Sequence, residues 1–462
     1  VPNLDFDCII VGARCAGASL ALRLARAGMR VLVLESAALH TNQAFSTHVI
    51  QTLGMDLLDE LGIGDRIRAV TPPVRTARFS VRGHAFDISF QSPRYMYAPR
   101  RITLDPMLQD AALAAGVEIR DKTRVTGLLR DQNAVCGVVA QHGEQEQSYR
   151  ARWVIGADGR NSTVARLVGA HAYIEHESDR GGYWAYWQKP SCWDVADPWR
   201  RFQTVIDIDD TLRFVFETDS QLLIIGAIAA RDVSRSWGNA YAAELQRTLR
   251  ASPLTAPLVE TEPVVPPVGL LKANFFFKQP LGPGWALVGD AGLHKDPVPG
   301  HGITDALRDA ASLARALVDG RPEALEVYWR KRDVESVPLY FQALSMGRLS
   351  YVNCLNELIM DRLNLAGTCE QDRMRDVFER RRSPFDGVAP SNLLRWFGAE
   401  LLRGKHELLL PFLSSIRFGA MVQRELAERT RLLERAEARL RRSQRRASGV
   451  SSSPAPRPVR SA

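Results

Sequence analysis

Glycine and carboxylate residues recur together at three places in this chain, with the spacing of turns that hold a nucleotide. The first run, Gly12-Ala13-Arg14-Cys15-Ala16-Gly17, is followed eighteen residues after its last glycine by Glu35. A strand before such a turn and a helix after it aim backbone N–H groups and the positive helix end at a pyrophosphate. Gly12 makes the turn and Gly17 lets the helix pack close to the strand. Glu35, closing the next strand, can accept hydrogen bonds from ribose hydroxyls. Arg14 replaces the second glycine of the usual GxGxxG, so its side chain must point away from the pyrophosphate or clasp it. The second run is Gly156-Ala157-Asp158-Gly159-Arg160-Asn161-Ser162, with Arg166 beyond it. The third is Gly289-Asp290-Ala291, followed by Pro297, Gly300, Gly302 and Asp309-Ala310. Asp290, at a strand end, can bind a ribityl hydroxyl, and the glycines of the 297–302 loop allow close backbone approach to a flat ring. The helix after the loop aims its positive end at that ring, where it would stabilise the negative charge of a reduced flavin.

Other residues are candidates for chemistry on sequence position. His48, in Phe45-Ser46-Thr47-His48, can hydrogen-bond a flavin edge or a substrate. His294, Lys295 and Asp296 lie between Asp290 and the 297–302 loop. Tyr183, Trp184, Tyr186, Trp187, Trp193 and Trp199 cluster; they line an apolar cavity or fill a core, with Trp184, Tyr186 and Trp187 the candidates for a substrate wall. The nine histidines show neither HExxH nor facial-triad spacing, and no metal is expected. The six cysteines show no CxxC and no paired spacing, which fits a reducing cytoplasm.

The elements that position these residues follow from apolar periodicity. Phe6 to Val11 and Val31 to Leu34 read as buried parallel strands, with a helix over 18–27 between them. Leu104 to Ala115 is an amphipathic helix, followed by a strand at 117–120 and hairpin strands at 125–130 and 135–141. Trp153 to Ile155 leads into the second glycine turn. Strands dominate from 180 to 280: 183–187, 202–208, 212–217, 222–229 and 269–277. Trp285 to Val288 is again a strand, then a helix over 302–318. Beyond Pro322 the chain reads as helical, ending in a long polar helix near 424–446. There Glu425 and Arg429, and Glu437 and Arg441, are pairs four apart.

Taken in order, the three glycine motifs resemble those of the FAD-dependent aromatic-hydroxylase-type monooxygenases, whose superfamily also holds geranylgeranyl reductases and flavin-dependent halogenases. The resemblance covers about residues 5–330. It implies that Gly12, Arg14, Ala16, Gly17 and Glu35 hold the ADP part of FAD. It aligns Arg101, in Arg100-Arg101-Ile102-Thr103-Leu104-Asp105, with an arginine that precedes a helix along the FAD. Asp158 and Gly159 match the DG motif of FAD and pyridine-nucleotide binding. Asp290, Pro297, Gly300 and Gly302 match the flavin-ribityl motif. The implied fold is α/β: a doubly wound, glutathione-reductase-like FAD domain (1–75, 98–180, 278–330), a β-rich substrate domain (76–97, 181–277), a helical C-terminal region (331–442) and a disordered basic tail (443–462).

The implied activity is hydroxylation or epoxidation of a bulky, largely apolar metabolite such as a polyketide, through a flavin C4a-hydroperoxide. With one ADP-binding unit, NAD(P)H would serve only as a transient reductant. Two alternatives stay open: a cyclase that uses FAD without redox, as in dialkyldecalin synthases, and a geranylgeranyl-reductase-like double-bond reductase. The residues Phe45 to His48 stand where many hydroxylases carry an arginine near the flavin. The halogenase signature Trp-x-Trp-x-Ile-Pro is absent, since Trp184-Ala185-Tyr186-Trp187-Gln188-Lys189-Pro190 does not match it.

Composition bounds the rest. The chain has 462 residues, 45% hydrophobic and 24% charged, which excludes a fibrous or wholly disordered protein. No apolar run approaches the ~20 residues of a membrane span, and Val1 to Val11 lacks the basic start of a secretory signal. Of the net charge of +8, six arginines lie between Arg441 and Arg460, with no acidic residue beside them. The rest is close to neutral, so no nucleic-acid partner is expected.

Overall fold

The computed structural model describes residues 4–42, 46, 48–196, 199–365 and 367–447. A mixed sheet with parallel central strands carries the three glycine motifs. Its order is Leu281–Gly282, Trp285–Leu287, Gln145–Gly156, Phe6–Val11, Val31–Leu34 and Glu118–Arg120, with the hairpin of Thr123–Asp131 and Ala134–His142 joined to Gln145–Gly156. The central strands are continuous apolar runs because both faces are covered. Leu20, Leu24, Leu104 and Leu307 close one face, and Val125, Val138, Tyr149 and Val164 the other.

Register decides where the motifs meet. Val11 pairs with both Gly156 and Leu34, and Gly156 pairs with Leu287. Four parallel strands therefore end level. The residues that follow each of them, Gly12, Glu35, Ala157-Asp158 and Gly289-Asp290, stand along one carboxyl edge, the usual ligand crevice of an open α/β sheet.

A second, seven-stranded sheet runs in the order Val268–Leu270, Arg180–Gln188, Leu222–Ala230, Leu212–Glu217, Thr204–Ile208, Thr76–Val81 and His84–Ser89. Thr204–Ile208 pairs in parallel with Thr76–Val81, joining segments far apart in the chain. One face of this sheet carries Trp184, Tyr186, Phe214, Phe216 and Ile224, which pack with Met360, Leu363 and Trp396 of the C-terminal helices. The other carries Tyr183, Trp187, Val215 and Ile225 against Leu245 and Leu249. A three-stranded sheet, Ala172–Glu177, Asn274–Lys278 and Leu293–His294, anchors the start of the 293–302 loop.

Three expectations change. The single strand at 269–277 is two strands, Val268–Leu270 in the second sheet and Asn274–Lys278 in the third, because the chain crosses between sheets at 271–273. The last helix is not polar throughout. It runs from Leu409 to Ala447 and begins with apolar turns. Its pairs form as spaced, Glu425–Arg429 at 2.8 Å and Glu437–Arg441 at 3.4 Å. Residues 443–447 of the expected basic tail are helical, and 448–462 lie outside the described residues. No helix among the described residues is long and apolar enough to cross a membrane.

Candidate functional site

The first turn is tight enough to demand its glycines. Gly12 has φ +104°, and a Cβ there would lie 2.6 Å from the Ala157 carbonyl oxygen. A Cβ on Gly17 would lie 1.8 Å from the Gly12 carbonyl oxygen. No side chain caps the start of the helix Cys15–Arg26, which leaves its positive end facing the crevice. Glu35 is buried and holds the turn itself: its carboxylate accepts the N–H groups of Ala13 at 2.8 Å and Ala37 at 2.9 Å. The oxygen that takes Ala37 also accepts the Ser36 hydroxyl at 3.4 Å, and the one that takes Ala13 keeps a second acceptor site for a ribose hydroxyl.

Arg14 neither turns away nor stands alone. Its guanidinium lies 3.3 Å from Asp105, which also takes Arg101 at 2.8 Å. Both arginines border the crevice, while Asp105, on the helix Arg101–Ala114, is buried. Burial pushes the adjacent Cys15 thiol up to about 12, so it is an inert packing group. Asp158 caps the helix Thr163–Val168 by accepting the Ser162 hydroxyl at 2.5 Å and the Thr163 N–H at 2.6 Å. Burial raises its carboxyl, and those bonds oppose the rise.

At the third motif, Asp290 is enclosed by protein, yet 45% of its side chain is open, and it borders the cavity. Burial alone would raise its carboxyl. His294 at 3.3 Å, with Lys295 and Arg101, overrides burial and holds it below the usual range. Lys295 is ion-paired with Asp305 in the first turn of the helix Gly302–Asp319. Asp305 also meets Arg308 at 3.1 Å and Arg380 at 3.0 Å. Against the pull of burial, these cations hold Asp305 far below the carboxylate range. Arg308 is shared with Asp309 at 2.8 Å and Glu335 at 3.4 Å, so the cations around the helix start neutralise its carboxylates. Gly300 takes φ +67° against Val49, and a Cβ on Gly302 would meet nothing within 4 Å. Gly302 thus leaves open space in the cavity wall.

His48 is fully buried, has φ +67° and borders the cavity. Its Nε2 is hydrogen-bonded to the Tyr186 hydroxyl, and its Nδ1 has no partner among the described residues. Burial, with Arg101 and Arg100 nearby, pushes its pKa down to about 3, so the ring is neutral. Phe45 and Thr47 lie outside the described residues.

These groups border one cavity of about 820 Å³. It runs from Gly12, Glu35 and Asp158 past Asp290, His294, Lys295, Pro297, Gly300 and Gly302 to an apolar wall of Val49, Trp184, Phe214, Ile228 and Leu270. Trp187 does not belong to this wall. Strand alternation turns it to the opposite face, where it is 1% exposed and donates to the Thr261 carbonyl at 3.2 Å. Sequence reasoning missed Thr123, Arg124 and Val125, which border the cavity near Glu35, and Phe214, Ile228 and Leu270. The alternation in 212–217 carried a signal for Phe214, but nothing local marked the face that meets the crevice.

The residues fit FAD. A glycine turn under a helix start, acceptors at Glu35 and Asp290, and open space at Gly302 at the N-terminus of a second helix suit, in order, a pyrophosphate, a ribose, a ribityl chain and an electron-rich ring.

Comparison with known proteins agrees. Residues 5–206 match the family described as FAD binding domain. A 12-dehydrotetracycline 5-monooxygenase/anhydrotetracycline 6-monooxygenase of Streptomyces rimosus is 32% identical over 171 residues, covering 36% of this chain and 33% of that one. A rifampicin monooxygenase of Streptomyces venezuelae is 31% identical over 171 residues, 36% of this chain and 34% of its own. The match thus spans about a third of those relatives. Digeranylgeranylglycerophospholipid reductase 2 of Methanococcoides burtonii is 24% identical over 341 residues, 67% of this chain and 73% of that one. Among solved structures, a flavin-dependent brominase aligns with TM-score 0.69 at 16% identity, over 87% of this chain and 100% of that one. At that identity the likeness shows the fold alone.

Proposed function

We propose that this chain, residues 5–206 of which match a FAD binding domain, is a monooxygenase of the aromatic-hydroxylase-type superfamily, acting on a bulky, largely apolar small molecule of polyketide-like size and shape. The observation that supports this most is the continuity of the cavity. One space joins the nucleotide-binding turn to an aromatic and aliphatic wall on a different sheet, so a ring held at Gly300–Gly302 would face an apolar ligand. When bound, FAD would accept a hydride from NAD(P)H and activate O₂ for transfer of one oxygen atom.

The chain's own groups do the rest. In this reading the turn at Gly12–Gly17 holds the pyrophosphate and Asp290 the ribityl chain. Lys295 and the start of the helix Gly302–Asp319 stabilise negative charge on the ring. Neutral His48, fixed by Tyr186, offers Nδ1 to an oxygen or nitrogen in the cavity. If the tyrosine hydroxyl donates to Nε2, Nδ1 carries the proton and is a donor. Trp184, Phe214, Ile228 and Leu270 exclude water from the apolar end.

The reductase reading is favoured by the longer alignment with the archaeal lipid reductase, and the non-redox cyclase shares every cofactor contact. The test is anaerobic mixing of the yellow holoprotein with NADH or NADPH, followed by O₂ with a panel of polycyclic phenols and ketones. Flavin bleaching, with ¹⁸O from ¹⁸O₂ in a product, is the expected result. Bleaching with saturation of a double bond and no ¹⁸O would replace it with the reductase. Absence of bleaching under all conditions would overturn both and leave the cyclase.

A further inference from the structure

The helix Pro390–Leu402 and the first turns of Leu409–Ala447 form a hairpin whose inner face is well packed. Phe397 stacks on Phe412 at 3.8 Å, and with Leu408 they cover Leu355. The outer face is apolar too. Leu402 is 92% exposed and Leu410 77%, with Leu409, Leu413 and Ile416 also exposed. Exposed Leu409, Leu410, Leu413 and Ile416 fall within two turns of one helix, and exposed apolar side chains grouped in this way mark an interaction surface.

Charge and residue type select the occupant. Between 390 and 424 the cations are Arg395, Arg403, Lys405, Arg417 and Arg424, and the acids only Glu400 and Glu407. Glu400 is buried under Arg362, Arg403 and Lys405, so the rim is basic. A second copy packed face to face would bring one basic rim up against another, which like-charge repulsion opposes. The outer residues are aliphatic, while Trp396, Phe397 and Phe412 are turned inward. The face therefore lacks the aromatic anchors of a tight protein interface. Leucines and an isoleucine ringed by arginine and lysine match the boundary between acyl chains and anionic headgroups.

We propose that this hairpin docks the protein on an anionic lipid bilayer, its leucines entering the headgroup–acyl boundary without spanning it. The reaction assigned to the cavity is not involved, so either inference can fail alone.

The test is co-sedimentation of the holoprotein with vesicles of phosphatidylcholine containing phosphatidylglycerol, and of phosphatidylcholine alone. Binding is expected only to the anionic vesicles and should weaken with salt. Leu402→Asp with Leu410→Asp should reduce it by about tenfold or more. Flavin content and melting temperature should stay unchanged, because both side chains already stand in solvent. Arg417→Glu should weaken binding without affecting folding. No sedimentation of the native protein, or equal binding of the double variant, would overturn the proposal. So would a native dimer without vesicles that the double variant converts to monomer, since the face would then be a self-interface.

Discussion

At the scale of single residues, Asp290 and His48 give the sharpest tests. Asp290→Ala should yield protein that folds but loses flavin on dilution, because each hydrogen bond to a charged group contributes about 1.5–3 kcal/mol. Absorbance at the flavin band per chain measures this, and full retention at high dilution would remove Asp290 from the cofactor site. His48 sets a pH dependence whose sign is fixed. Its folded pKa, about 3, lies below the ordinary histidine value, so the unfolded chain binds the proton first. Its contribution is fully present above about pH 6.5 and is lost as pH falls toward 3. Between pH 6.5 and 5 the loss amounts to about 2 kcal/mol. Asp296 works the other way: burial raises its carboxyl to about 7, so its share is lost as pH rises through 7. Urea unfolding of the native chain and of His48→Gln at both pH values separates them. The variant should lose less stability on acidification; an equal loss would show that His48 is protonated in the fold. The candidacy of His48 was legible only as a position in a loop. Its unpartnered Nδ1 and its bond to Tyr186, 138 residues away, come from a contact that no local pattern encodes.

Strands and turns explain which aromatic and glycine positions matter for ligands and which for folding. Trp184 and Trp187 are three residues apart, and in an extended strand an odd separation places them on opposite faces. Trp184→Ala should therefore leave FAD bound and impair turnover. Trp187→Ala should destabilise by about 3–5 kcal/mol, as deletion of a large buried ring does. Equal losses of stability in thermal melts would mean that both are core. The glycines divide in the same manner. Gly17→Ala meets a carbonyl at 1.8 Å and should unfold the turn, whereas a Cβ at position 302 meets nothing within 4 Å, so Gly302→Leu has room to extend into the cavity. The leucine variant should melt like native apoprotein yet fail to take up FAD. The alternation was readable from sequence, but its phase relative to the crevice was not, because both faces of this sheet are apolar and periodicity cannot say which one meets a ligand.

Across the whole molecule, the C-terminal region reaches back to the helix Gly302–Asp319 at the cavity. Arg380, just after the helix Thr368–Phe378, pairs with Asp305 at 3.0 Å and hydrogen-bonds Gln51 at 2.5 Å. Arg380→Met should lower the melting temperature, with a loss of about 3 kcal/mol, because it strips a cation from a buried carboxylate. Asp305 keeps Lys295 and Arg308, so flavin affinity should fall but not vanish; unchanged melting and affinity would make the link incidental. Sequence by itself determined the parallel strands, the glycine turns and the residues that suit FAD, because strand–turn–helix chemistry is local and is written within about thirty residues. Tertiary structure alone decided the rest. Strand register brought residues 12, 35, 157 and 290 to one edge, and the second sheet turned Trp184, rather than Trp187, toward the cavity. The C-terminal region supplied Arg380 while leaving an apolar outer face on the hairpin. Each of these is a contact between segments far apart in the chain, and local propensity does not encode which distant faces burial will bring together.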